Sequence, residues 1–233
     1  MVSRAWLLGA CWLLGCSQQY DGVEPALELD GYVLEGKYVY NRNFFHGNDI
    51  EGEPFVALCP AEQALVGLSV GVTAGRPSGV SLRCAEIDVW GNLGESSYGE
   101  RFGAEADPAT EEVLECAKGH AAVALTGNED VPFAVSSNTP PTHPGIAVLG
   151  IQCANARTWI EGEATSFDDL GTSGVRWGTI PFADACIAGV FVPNGFYGRF
   201  STRLEQISLS CMTQNEEALR LLRATVGRAG DTP

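Results

Sequence analysis

Positive charge is scarce in this chain: 14 Lys and Arg side chains stand against 29 Asp and Glu, a formal charge of −15. That shortage excludes general nucleic-acid binding, because neutralising phosphates takes Lys and Arg. Metal-ligand patterns are scarce too. No Cys-x-x-Cys pair occurs, and His46, His120 and His143 are scattered. Neither a zinc cluster nor any other metal or cofactor is therefore expected. The zincin pattern His-Glu-x-x-His and a glycine-rich phosphate loop are also absent. Adjacent carboxylates occur at Glu111-Glu112, Asp168-Asp169 and Glu216-Glu217, but neighbours on a strand point to opposite faces. Solvated turns account for them, so no catalytic residue is assigned and no enzyme is expected.

Long hydrophobic runs are missing as well. The longest, Ala5 to Leu14, follows Arg4 and ends at Gly15-Cys16-Ser17. It is too short to span a bilayer as a permanent helix and reads as a secretory signal. Leu13-Leu14-Gly15-Cys16 resembles the bacterial lipobox, which implies cleavage after residue 15 and a lipid on Cys16; an ordinary cleaved signal is the plainer alternative. Ser17, in place of an aspartate, implies sorting to the outer membrane. Residues 16–30 then form a lipidated tether, and the loss of Arg4 takes the charge from −15 to −16. An acidic domain gains nothing from an anionic membrane surface, so membrane attachment rests on the lipid.

What the chain does have is a repeat. Val80-Ser81-Leu82-Arg83-Cys84, Leu149-Gly150-Ile151-Gln152-Cys153 and Ile207-Ser208-Leu209-Ser210-Cys211 share one alternation ending in cysteine. Period-two alternation marks a strand with one buried face, and the cysteine belongs to that face. An earlier cysteine precedes each: Cys59, Cys116 and Cys186. Trp90 and Trp159 lie six residues past Cys84 and Cys153, and Tyr98 and Phe167 lie eight further on. Three units follow, about 31–90, 91–159 and 160–213. Six cysteines allow fifteen pairings, of which the repeat favours Cys59–Cys84, Cys116–Cys153 and Cys186–Cys211. Six free thiols are the alternative. An exported chain meets the oxidising conditions in which such bridges persist.

Short apolar runs (Phe55–Leu58, Ala64–Val70, Val80–Leu82, Ala121–Leu125, Ile146–Ile151, Val190–Val192 and Ile207–Leu209) alternate with Gly, Pro, Asn and Ser clusters. The class is all-β. The stretch 136–144 reads as an exposed loop. Only 216–225, within the tail 214–233, has helical spacing, with Asn215 as its cap. The first unit, from Phe55 through Leu58-Cys59-Pro60 and Leu65-Val66-Gly67-Leu68-Ser69-Val70 to Cys84, resembles a repeat of the vitelline membrane outer layer protein I family, whose bacterial counterparts are described as jacalin-like. The second unit departs from the pattern at Ala117-Lys118-Gly119. The resemblance implies a β-prism: three Greek-key sheets about a pseudothreefold axis, one sheet per repeat. A β-sandwich, β-trefoil or propeller-like fold also satisfies the strand pattern.

Binding is the expected role. Sugars stack their apolar faces on aromatic rings, and Trp90 and Trp159, with Asp88, Asn92 and Glu161 nearby, are candidate glycan platforms. Closing each sheet by packing is their alternative use. The turn-like Pro193-Asn194-Gly195-Phe196-Tyr197-Gly198 offers Phe196 and Tyr197 as a second site, unless those rings fold onto the sheet. A lectin-like module recognising a glycan or polysaccharide is the first expectation. A structural or assembly lipoprotein that binds other envelope proteins is the second. Weak glycan processing, implied by the resemblance alone, is a distant third.

Overall fold

The computed structural model describes residues 27–29, 32–35, 38–41, 46–47, 52–105, 107–130, 145–163, 166–173 and 179–213. The signal 1–15, Cys16, most of the tether, the loop 136–144 and the helix 216–225 lie outside the described residues. In chain order come β1 (Leu27–Leu29), β2 (Tyr32–Glu35), β3 (Tyr38–Asn41), β4 (His46–Gly47) and β5 (Glu53–Leu58). There follow β6 (Gln63–Thr73), β7 (Arg76–Ile87), β8 (Leu93–Gly103) and β9 (Glu111–Glu115). The second half comprises β10 (His120–Asp130), β11 (Ile146–Asn155), a helix α1 (Ala156–Ile160), β12 (Asp168–Gly171), β13 (Thr179–Ala185), β14 (Val192–Phe200) and β15 (Leu204–Met212).

These strands form three antiparallel sheets in a prism, ordered β8-β7-β6-β9, β12-β11-β10-β13 and β1-β2-β3-β15-β14-β5, with β4 also on β15. Each is built on a long hairpin, and most of β6, β7, β11, β14 and β15 is buried on both faces. Leu68 and Val70 oppose Leu82 and Val80, Leu125 opposes Ile151, and Phe196 opposes Leu209. All are buried, and β6, β10 and β14 touch one another across the axis. Each such side chain contributes about 1.5–3 kcal/mol by leaving water. The three cysteine-ending motifs lie on β7, β11 and β15 with their apolar residues buried, but the single buried face read from their alternation is corrected: the spacers Ser81, Gly150, Ser208 and Ser210 are buried as well.

One implication of the family resemblance needs correcting: a sheet does not coincide with a repeat. The strand before each first cysteine (β5, β9, β13) pairs with the hairpin of the preceding unit, and β5 closes the ring against β14. The joint is the same three times. An extra residue bulges from the first strand of each hairpin at Val66, Val123 and Asn194. Its carbonyl accepts the backbone N–H of Cys116, Cys186 and Cys59 respectively. The disulfides are Cys59–Cys84, Cys116–Cys153 and Cys186–Cys211. Since each first cysteine continues one sheet and its mate lies in the next, every bridge ties two neighbouring sheets at the same end of the prism.

The opposite end is held by charge. Asp130 on β10 pairs with Arg76 at the β6–β7 turn and, at 3.4 Å, with Arg203 at the β14–β15 turn, so one carboxylate links all three hairpins. Arg203 also donates to the buried Glu205 at 3.2 Å. Nearby, β4 holds His46 between Glu129 (2.7 Å) and Asp184 (2.8 Å), with its ring stacked on Phe182.

Candidate functional site

At the disulfide end the turn after β7 is fixed by one side chain. Asp88 Oδ1 accepts the backbone N–H groups of Trp90 (2.8 Å) and Asn92 (2.9 Å), and its Oδ2 accepts the Asn92 amide. Such an Asx-turn replaces backbone pairing that the chain cannot make in so tight a reversal. The Asn92 side chain and the backbone donors together hold the Asp88 carboxyl below its usual pKa. Gly91 adopts a positive φ of 80°, and a Cβ there would come within 2.5 Å of Arg157 Cα. The turn is thus pressed against the first residues of α1, and Trp90 is left 69% exposed.

Helix α1 was not expected from the sequence. Its five residues are too few for periodicity, although Asn155, whose Oδ1 accepts the Thr158 N–H at 3.2 Å, is an ordinary N-cap. It carries Trp159, which occupies the same repeat position as Trp90 and has the opposite fate. Trp159 is 5% exposed, its Nε1–H donates to Phe191 O at 2.8 Å, and Phe167 meets its ring edge-on. Trp159 is a core residue. Between the Trp90 turn, α1 and the turn after Cys186 opens a cleft of about 220 Å³, lined by Val89, Ile160, Val190, Phe191, Val192 and Met212, with Gly189 at its edge. Exposed Asp88, Arg157, Glu161 and Glu163 stand around it in sequence, Arg157 pairing with Glu161 at 3.1 Å.

The second candidate pair is corrected. Phe196 and Tyr197 do not sit in a turn; both are buried in β14, between β15 and β5. The Asn-Gly that reads as turn chemistry is the bulge. A Cβ at Gly195 would lie 2.0 Å from Ala57 O, so the glycine lets β5 approach. Of the four proposed aromatics, only Trp90 offers a ring to solvent, and the structure does not bring the four together.

The sequence also carries a Gly-x-Ser-x-Gly pattern, Gly67-Leu68-Ser69-Val70-Gly71. It is not a nucleophile elbow: it runs straight through the middle of β6, and the Ser69 hydroxyl donates to Glu111, itself paired with Arg101 at 3.0 Å. No histidine contacts Ser69 among the described residues. Nor does any group of three or more His, Cys, Asp or Glu there assemble to hold a metal ion.

No family model matches this sequence, and no curated protein matches it. Among solved structures the chain is similar to a mannose-binding jacalin-related lectin from Ananas comosus, at 16% identity and TM-score 0.47, over 72% of this chain and 94% of that one. It is also similar to artocarpin in complex with mannopentose (14% identity, TM-score 0.49, 72% and 93%). A third is frutapin, a lectin from Artocarpus incisa (15%, 0.48, 72% and 93%). At these values the likeness gives no residue of this chain a role, and the three-sheet β-prism rests on the strand pairing itself.

Proposed function

We propose that this protein is a carbohydrate-binding module of the cell envelope, anchored to the outer membrane by a lipid on Cys16, with its site at the Trp90 turn. One observation carries the reading. Of two tryptophans in the same repeat position, Trp159 is buried with its N–H bonded, whereas Trp90 is presented to solvent on a turn that Asp88 holds rigid. A large apolar ring kept in water on a pre-ordered support serves binding, because the fold does without it at that position. Asn92 and Asp88 stand beside it for hydroxyl groups.

The test is a glycan screen of residues 22–233, oxidised and reduced, followed by Trp90→Ala. Loss of the ring is expected to weaken binding about tenfold, the equivalent of ~1.4 kcal/mol. An unchanged affinity removes Trp90 from the site, and no binding by the folded domain removes the glycan reading. The exposed apolar pair Val89 and Trp90 beside a cleft favours one other reading, a structural or assembly lipoprotein that docks an envelope protein there. Crosslinking at position 90 in intact cells separates the two readings. For the anchor, incorporation of labelled palmitate that Cys16→Ala abolishes is the expected result.

A further inference from the structure

The cleft beside Trp90 is unlike a plain sugar site. Among the described residues that line it, no side chain carries a hydrogen-bonding group: the walls are Val89, Ile160, Val190, Phe191, Val192 and Met212. A pyranose carries hydroxyls around its whole edge, and burying those that the backbone of the cleft does not reach is costly. Hydrocarbon has no such cost. A cavity of about 150 Å³ with similar walls accommodates benzene, so 220 Å³ suits a ring or a short chain of comparable or slightly larger size. Charge then decides which amphiphile enters. Exposed Asp88 and Glu161 adjoin the lining residues Val89 and Ile160 in sequence, with Arg157 already paired, and the chain carries −15 overall. Carboxylates and phosphates are repelled from such a mouth, which disfavours fatty acids and phospholipid headgroups.

We infer that the cleft is a hydrocarbon subsite, and that the ligand is an uncharged glycan bearing a short acyl, alkyl or aryl group. The sugar lies on Trp90 and the substituent fills the cleft. This inference rests on the carbohydrate reading of the Trp90 turn and adds the class of ligand.

Calorimetric titration with methyl, butyl and hexyl glycosides of glucose, galactose and mannose tests it, with hexanoate and hexyl phosphate as charged controls. In a series that binds, affinity should rise about fourfold per methylene, the fold-change equivalent to ~0.8 kcal/mol, and the charged controls should not compete. Filling the cleft with Val190→Phe should abolish the chain-length gain, while Val113→Ala on distant β9 leaves it in place. Should Val190→Phe fail to fold, Val89→Lys on the exposed turn makes the same test. A series that binds without chain-length dependence overturns the inference and leaves the carbohydrate reading standing. Hexanoate binding as tightly as the hexyl glycosides also overturns it, since the sugar is then irrelevant. Binding in none of the three series overturns it as well, and the glycan screen then decides separately whether the carbohydrate reading survives.

Discussion

Trp90 and Trp159 show how far residue-level reading reaches. Their common spacing from Cys84 and Cys153 marks both as elements of a repeat, and nothing in that spacing tells core from surface. The difference arises in the neighbours: α1 carries Trp159 down to the Phe191 carbonyl, whereas the Asp88 turn leaves Trp90 in solvent. Mutation should therefore separate them by stability. Trp159→Ala is expected to cost about 3–5 kcal/mol, as for other large buried aromatics, and Trp90→Ala less than about 0.5 kcal/mol, as at an exposed surface position. Urea unfolding followed by far-UV dichroism checks both, and equal losses would show that Trp90 is structural. Phe196 and Tyr197 were misread for a related reason. Asn-Gly is shared by turns and bulges, and only the approach of Ala57 to Gly195 resolves which one is present.

At the scale of elements, strands were the legible part. Most of the short apolar runs lie in strands, because a strand covered on both faces takes apolar residues in succession. Partners were less legible: β5 belongs by sequence to the first unit and pairs with the hairpin of the last. The small element β4 was invisible, since two residues carry no period. It is held to β15 by pairing at Gly47 and His46, and to the second sheet by the His46 ion pairs. Burial opposes the imidazolium charge, but hydrogen bonds to Asp184 and Glu129, with the charge of both carboxylates, outweigh it and raise the pKa of His46 to about 9. A folded-state pKa above the unfolded 6.5 stabilises the fold fully below pH 6.5 and loses that contribution as pH rises through 9. Stability measured from pH 6 to 10 should fall across this window, and His46→Gln should flatten the curve. A wild-type curve already flat there would exclude His46 as a fastening of β4.

For the whole molecule, the cysteine pairs were legible and their purpose was not. Spacing alone places each bridge inside a repeat. Because the strand before each first cysteine belongs to the sheet of the preceding unit, the same bridge spans two sheets, and three of them close a ring at one end. In the chain-entropy model, loops of 25 and 37 residues each stabilise by about 3.5 kcal/mol. Replacing both Cys186 and Cys211 by Ser should cost roughly that much and lower the melting temperature, as calorimetry would show. The charged end responds to a different variable: raising ionic strength weakens the Arg76–Asp130–Arg203 link and leaves the disulfides untouched.

The order of the cysteines has a consequence for how the chain is made. Each one pairs with the next in line, so a chain that enters the oxidising compartment N-terminus first presents 59 and 84 before 116, and 116 and 153 before 186. A chain oxidised in that order meets each native partner before the next cysteine arrives. What must wait is the final seam. Strand β5, among the earlier strands to emerge, stays without its partner until β14 has followed it.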